Sequence, residues 1–177
     1  AYIATLDPPL VASGGGIPLI EGGKVIGAIG CSGGTGAQDA VACKAGAVEI
    51  DMVINIGKAL SGDWDYVERD VRAVCDEAHR HGAKVKAIFE NDYLSNGGAG
   101  LNSNDFKKKL CELCERAGAD WVKTSSGYGF VKQPDGSYNY KGATAHDLTL
   151  MRASVSTKVQ VKAAGGVRDL DGLIKVR

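Results

Sequence analysis

Hydrophobic and polar positions recur along most of the chain in one order: a short apolar run, a polar turn and a segment with helical spacing. The apolar runs, which predict strands, lie at 48–56, 85–89, 120–124 and 159–163. Apolar residues at helical spacing predict helices that begin near Trp64 and Asn104, and the pattern Thr144-x-x-Asp147 is typical of a capped helix start. This alternation predicts βαβ units and therefore an α/β fold with a parallel sheet.

The first 47 residues follow a different pattern. Apolar runs at 17–20 and 25–29 flank a Gly-Gly turn and predict a β-hairpin. A glycine-rich segment at 30–36 then precedes a predicted helix at 37–45. Free backbone N–H groups at such a helix start can bind an anion, but the same glycines also suit a simple tight turn. The pattern therefore divides the chain into two segments, residues 1–47 and 48–177.

The composition excludes several classes of function. The chain has 177 residues, and its 21 basic and 21 acidic side chains cancel, so no overall charge favours nucleic acid. No apolar stretch is long enough for a membrane span, and the N-terminus shows no basic and apolar leader. Five cysteines without the density of a disulfide scaffold suit a reducing compartment. We expect a soluble, cytoplasmic protein that binds neither nucleic acid nor a membrane.

Two cysteines, Cys111 and Cys114, form a CxxC motif inside a predicted helix. No second CxxC and no histidine pair completes a zinc site, so two interpretations remain. The pair supplies small residues to the core, or it carries redox or metal chemistry. The run Lys107-Lys108-Lys109 in the same helix is predicted to form a solvated face.

Lysines occur inside two of the predicted strands. Lys123 and Lys162 each stand among apolar neighbours, lie 39 positions apart and are followed by a turn rich in small residues. That distance is about one βαβ unit, so the two strands are expected to be adjacent and parallel. Two ammonium groups close together in a partly desolvated pocket favour the neutral, nucleophilic form of one amine. The pair therefore predicts a lysine prepared for Schiff-base chemistry.

An acid and several glycines accompany the lysines. Asp51 lies in an otherwise apolar strand, where it would hold a lysine or relay a proton to water. The alternative is that each lysine extends to solvent or forms an ion pair with Asp51 or Glu90. Backbone N–H groups suited to phosphate are expected at Gly127 and at Gly165-Gly166, although tight-turn geometry alone would also explain those glycines.

Several long motifs resemble deoxyribose-phosphate aldolase, a class I aldolase family with a (β/α)₈ barrel. The motifs are EIDMVINIG at 49–57, AGADWVKTSSG at 117–127 and VKAAGGVR at 161–168. The resemblance implies a partial (β/α)₈ barrel, in which residues 48–177 correspond to barrel strands four to seven. A partial barrel has open strand edges, which predicts a homo-oligomer.

The resemblance also implies an activity and its residues. The family reversibly joins acetaldehyde, as the lysine enamine, to glyceraldehyde 3-phosphate to yield 2-deoxyribose 5-phosphate, without a metal or organic cofactor. By resemblance, Lys123 forms the Schiff base, Lys162 favours its neutral amine and Asp51 relays the proton. The substrate phosphate would contact Gly127, Gly165 and Gly166. The segment 128–140 lengthens the loop over this site and is expected to affect substrate selectivity.

Residues 10–46 do not resemble the opening strands of that aldolase. They are similar to part of a small α/β family found in haem-binding proteins and beside cobalamin adenosyltransferases. The chain is therefore expected to be a chimera or a portion of a longer protein. The alternative function is a catalytically impaired module that binds haem, a corrinoid or a partner.

Overall fold

The computed structural model describes residues 16–21, 24–30 and 48–176. The chain divides near Glu49 into two units, which are described separately. In the first unit, strands β1 (Gly16–Glu21) and β2 (Lys24–Gly30) pair antiparallel, which confirms the predicted hairpin. Most of the predicted glycine-rich loop and the predicted helix at 37–45 lie outside the described residues.

The second unit contains a four-stranded sheet in the order β3-β4-β5-β8, with helices between the strands. Its elements are β3 (Glu49–Val53), α1 (Ile56–Leu60), α2 (Trp64–Arg80), β4 (Lys84–Ile88), a 3-10 helix (Asn91–Leu94), α3 (Ser103–Ala117), β5 (Trp121–Lys123), β6 (Val131–Lys132), β7 (Tyr138–Asn139), α4 (Ala145–Ala153), β8 (Gln160–Lys162) and α5 (Leu170–Lys175). The β4–β5 and β5–β8 pairs are parallel, so the predicted α/β architecture is confirmed.

Across the part of the chain that the structure describes, none of the helices combines the length and apolar content needed to cross a bilayer.

Capping side chains set the ends of the longer helices. The Asn102 side chain accepts a hydrogen bond from the Asp105 N–H at the start of α3, and Gly118 ends that helix in a left-handed conformation with φ 96°. At the start of α4, the Thr144 hydroxyl accepts from the Asp147 N–H at 3.1 Å, as the sequence predicts. Three short elements were not predicted, because α1, the 3-10 helix and the β6–β7 hairpin contain too few residues to show a period.

The core lies on the sheet face that packs against α2 and α3. Val85, Ala87 and Val122 are fully buried there among apolar residues of both helices. Because side chains alternate between the two faces of a strand, Lys86 and Lys123 lie on the opposite face. The main hydrophobic core thus lies on the helix side of the sheet, whereas the other side carries lysines together with the buried Ile88.

Cys111 and Cys114 are buried in the same core, together with Cys75. Burial raises the pKa of the Cys111 thiol to about 12, and that of Cys114 is also raised well above its ordinary value. Buried thiols that stay protonated are poor nucleophiles and poor metal ligands. The interpretation of the CxxC motif as core residues is confirmed.

The prediction that all three lysines of the 107–109 run face solvent was wrong for Lys107. Its side chain is buried, and Nζ lies 2.7 Å from Asp147 Oδ1 of α4, whereas Lys108 is exposed. Lys107 precedes the buried Leu110, Cys111 and Cys114 by three, four and seven positions, so it shares their face of the helix. The buried charge is retained because α4 supplies a carboxylate.

We expect Lys107→Met to lower the free energy of unfolding by about 3 kcal/mol, because it leaves the Asp147 carboxylate buried without its partner. The double variant Lys107→Met/Asp147→Leu should recover part of that loss, since it removes both charges. Urea unfolding measures both effects, with Lys108→Met as the matched exposed control. Equal effects of the two Lys→Met substitutions would contradict the structural role of the ion pair.

Candidate active site

The strand register brings the two predicted lysines together. Lys123 of β5 is paired with Lys162 of β8 and with Ile88 of β4. Residues paired in register on neighbouring strands direct their side chains to the same face. Lys123 and Lys162 therefore share the face opposite the helices, and their predicted adjacency on parallel strands is confirmed.

Asp51 joins this group from β3, two strands away from β5 in the sheet. Its Oδ1 lies 2.6 Å from Lys123 Nζ, and its Oδ2 lies 3.5 Å from Lys86 Nζ. Partial burial acts to raise the pKa of Asp51, but the hydrogen bond and charge of Lys123, with the charge of Lys86, outweigh it and hold that pKa below its ordinary value. Asp51 is therefore an ionised acceptor at neutral pH.

The sequence interpretation missed Lys86, which belongs to the same charged cluster. Only 11% of its side chain is exposed, and its ammonium group lies 5.4 Å from the centre of the Trp121 ring. The signal was present in β4, where Lys84, Lys86 and Ile88 alternate with Val85 and Ala87. It was overlooked because a single lysine in a short strand is equally consistent with an exposed position.

The ion pair considered as an alternative for Lys123 exists, with Asp51 as its partner. Glu90, the other carboxylate considered, instead accepts hydrogen bonds from Ser126. Lys162 is exposed and has no ion-pair partner within residues 48–176. The three predicted residues thus form a group in which one ammonium is paired and the other is not.

The predicted phosphate-binding glycines are also brought together. Gly127, Gly165 and Gly166 have φ values of 88°, 82° and 76°, which favour glycine. A Cβ on Gly127 would lie 3.9 Å from Gly165 Cα, so the turns after β5 and β8 are neighbours. The N–H groups of the three glycines donate to no acceptor among the described residues, which leaves them available to an anion.

Side-chain contacts hold these turns in place. The Thr124 hydroxyl donates to the Ala164 carbonyl at 2.8 Å and accepts from the Ala164 N–H at 3.0 Å, which links the ends of β5 and β8. Arg168 follows the second turn and donates to the Tyr140 hydroxyl at 3.4 Å. The inserted segment, which forms the β6–β7 hairpin, is thereby attached to the edge of the site.

No group of three or more His, Cys, Asp and Glu side chains suited to a metal ion occurs among the described residues. The chemistry that the site does offer is that of an amine, a carboxylate and backbone donors. Folds with parallel strands and helices commonly carry their functional groups at the carboxyl edge of the sheet, and a lysine amine there is a group that can attack a carbonyl carbon. The chain belongs to the DeoC/LacD aldolase family, because the family described as "DeoC/LacD family aldolase" matches residues 35–176.

Curated relatives of this chain are named deoxyribose-phosphate aldolases. The deoxyribose-phosphate aldolase of Rhodopirellula baltica is 46% identical over 132 residues, which cover 75% of this chain and 47% of that protein. The enzyme of the same name from Thermococcus gammatolerans is 48% identical over 123 residues, which cover 70% and 47%. The predicted resemblance is confirmed, and the chain spans about half the length of these relatives.

Solved structures confirm the aldolase fold. The aldolase QR15 superposes with a TM-score of 0.57 at 33% identity, covering 80% of this chain and 54% of that chain. The deoxyribose phosphate aldolase of Aeropyrum pernix, described as a unique tetrameric structure, superposes with a TM-score of 0.54 at 29% identity, covering 80% of this chain and 51% of that chain.

Residues 1–48 match a second family, described as "Haem degrading protein HbpS-like".

Substitution of Asp51 should have a pH-dependent effect on stability. The pKa of Asp51 is lower in the folded state than in the unfolded state, so its contribution is present at neutral pH and disappears as the pH falls through the folded-state value. Because the carboxylate is partly exposed, we expect Asp51→Asn to lower the free energy of unfolding by about 1 kcal/mol at pH 7. Urea unfolding between pH 7 and pH 3 measures this difference.

The exposed helix residue Asp76 provides the control, and Asp76→Asn should change stability little at any pH. A difference between wild type and Asp51→Asn that stays constant down to pH 3 would show that the carboxylate charge is not what stabilises the cluster.

Proposed function

We propose that the protein is a class I aldolase that forms a Schiff base on Lys123. The proposed reaction reversibly joins acetaldehyde to glyceraldehyde 3-phosphate and yields 2-deoxyribose 5-phosphate. The observation that carries this proposal is the position of Lys123, 2.6 Å from Asp51 and in register with Lys162 on one sheet face. Family membership and the names of the curated relatives support it.

Lys162 has an electrostatic role in this proposal. Lys123 must lose a proton before its nitrogen can attack an aldehyde. Lys162, which is in register with it on the neighbouring strand, is proposed to assist that loss through like-charge repulsion. The attack forms a C–N bond, the carbonyl oxygen takes up protons, and water leaves as the imine forms. Lys162 is exposed and lacks an ion-pair partner in the described part of the chain, so no carboxylate there cancels its charge.

Asp51 is proposed to move protons during the later steps. Conversion of the protonated imine to an enamine requires removal of a proton from the neighbouring carbon, and a water molecule hydrogen-bonded to Asp51 would accept it. The carboxylate is ionised, borders Lys123 and keeps 41% of its side chain exposed. Asp51 can therefore exchange protons with solvent while it orients the Lys123 nitrogen.

The turns after β5 and β8 are proposed to bind the substrate phosphate. Gly127, Gly165 and Gly166 offer unused N–H groups at the strand ends where Lys123 and Lys162 lie. Backbone donors suit a phosphate because they need no reorganisation and carry no competing counter-ion. The substrate is thus proposed to be a small phosphorylated sugar whose aldehyde end reaches Lys123.

Residues 48–177 are proposed to supply barrel strands four to seven, while residues 1–47 are proposed to have a separate origin. The alternative function, a module that binds haem, a corrinoid or a partner, is not favoured. It rests on residues 1–48, most of which lie outside the described residues. The charged cluster on β3, β4, β5 and β8 gives the aldolase proposal a specific chemical basis.

Borohydride trapping tests the proposal directly. Incubation of the full chain with acetaldehyde and sodium borohydride should reduce the imine to a stable secondary amine on Lys123, identified by peptide mass spectrometry. Lys123→Arg should abolish this adduct, whereas Lys162→Met should slow its formation at pH 7 by about tenfold, because the charge that favours the neutral amine is lost.

Lys158→Arg is the matched control, since Lys158 is exposed and lies outside the charged cluster. It should trap acetaldehyde at the wild-type rate. Adducts spread evenly over surface lysines, or an undiminished yield in Lys123→Arg, would exclude covalent catalysis by Lys123.

We also propose that the protein forms a homo-oligomer. Within residues 48–176, β3 and β8 each have a sheet neighbour on one side only, and unpaired strand edges favour association. The related Aeropyrum pernix aldolase is described as tetrameric. Multi-angle light scattering should give at least twice the mass of one chain, and a monomeric mass across a concentration series would contradict the proposal.

A further inference from the structure

Glu90 follows β4 with a backbone conformation that is uncommon for a residue with a side chain. Its φ and ψ are 54° and 60°, in the left-handed region, and the residue is only 4% exposed. A buried carboxylate and a left-handed backbone persist together only where surrounding contacts fix both. The partners of the Glu90 carboxylate therefore indicate what this conformation serves.

Among the described residues, the Glu90 carboxylate accepts hydrogen bonds from Ser126, in the turn after β5. The Ser126 N–H donates to both carboxylate oxygens, at 3.1 and 3.2 Å, and the Ser126 hydroxyl donates to Oε2. The same hydroxyl accepts from the Tyr128 N–H at 3.0 Å. These bonds engage the N–H groups on either side of Gly127, while the N–H of Gly127 itself donates to no acceptor in the described part of the chain.

The chain after this turn packs directly on Glu90. A Cβ on Gly129 would lie 2.5 Å from Glu90 Cδ and 2.6 Å from its Cγ, so only glycine fits without displacing the carboxylate. Segment 126–129 thus wraps around the Glu90 side chain. The position of Gly127 depends on that side chain as well as on its own conformation.

Glu90 and Asp51 serve different parts of the site. Asp51 contacts the amines of Lys123 and Lys86, whereas Glu90 contacts the turn in which Gly127 lies beside Gly165. Among the described residues, the ion pair of Lys123 is with Asp51, whereas Glu90 is hydrogen-bonded to Ser126. The two carboxylates are therefore separable by experiment.

We propose that Glu90 is a positioning residue for the substrate phosphate. Its carboxylate fixes the N–H groups of Ser126 and Tyr128 in the turn and so leaves the Gly127 N–H directed to the anion. It takes no part in the amine chemistry of Lys123. This inference rests on the proposed function, because it assigns Glu90 to the phosphate-binding part of that same site.

The test compares Schiff-base trapping of two sugars by the full chain, 2-deoxyribose 5-phosphate and 2-deoxyribose. Glu90→Gln keeps the size of the side chain but loses its charge. We expect it to raise the half-saturating concentration of the phosphorylated sugar about tenfold, the scale of one charge-assisted hydrogen bond. The half-saturating concentration of 2-deoxyribose and the rate of acetaldehyde trapping should stay unchanged.

Three further variants test the contacts that Ser126 and Gly129 make with Glu90. Ser126→Ala should reproduce the effect, and the double variant Glu90→Gln/Ser126→Ala should be no worse than either single variant, since both break one linkage. Gly129→Ala should act in the same direction by displacing Glu90. The exposed residue Glu112 provides the matched control, and Glu112→Gln should leave both sugars unaffected.

A second measurement separates failure of this inference from failure of the proposed function. Titration calorimetry with inorganic phosphate needs no Schiff base, so Lys123→Arg should bind phosphate normally while Glu90→Gln or Ser126→Ala binds it about tenfold more weakly. Absence of an acetaldehyde adduct on wild-type Lys123 would refute the proposed function alone. Equal losses for both sugars, or unchanged phosphate binding in folded Glu90→Gln and Ser126→Ala, would overturn the role of Glu90.

Discussion

The parallel pairing of β5 and β8 places Lys123 opposite Lys162 and thereby fixes which face of the sheet carries charge. With that register, Val122 faces the helices and is fully buried, while both lysines lie on the other face. A shift by one residue would bury the ammonium groups in the apolar core and expose Val122. The helix packing that stabilises the sheet therefore also positions the side chains of Lys123 and Lys162.

Carboxylates organise the site in two places, on one face of the sheet and at its carboxyl edge. On the sheet face opposite the helices, Asp51 bridges the amino groups of Lys123 and Lys86. At the carboxyl edge, buried carboxylates hold backbone: Glu90 binds Ser126, and Asp92 accepts from the N–H groups of Lys141 and Gly142. Each carboxylate is accommodated because polar partners replace the water it loses.

The hydrogen bonds of Asp92 hold Gly142, and Gly142 in turn packs against the turn after β8. A Cβ on Gly142 would lie 2.3 Å from the Gly165 carbonyl oxygen, and the Ala143 N–H donates to that oxygen at 3.0 Å. The loop after β4 thus organises the turn after β5 through Glu90 and the turn after β8 through Asp92. Loops at the carboxyl ends of parallel strands commonly carry function, and here they are held by charge-assisted hydrogen bonds.

The sequence alone determined the α/β alternation, the hairpin and the placement of Lys123 and Lys162 on adjacent parallel strands, because strands, caps and long motifs are encoded locally. Tertiary structure decided which charges meet. Lys86 joins Asp51 across neighbouring strands, and Lys107 is buried because α4 brings Asp147 to it. Ser126, the partner of Glu90, likewise lies 36 positions away in the chain. Such contacts depend on strand register and helix packing. These bring together residues that are far apart in the chain, and the sequence around one residue does not predict which partner it will meet.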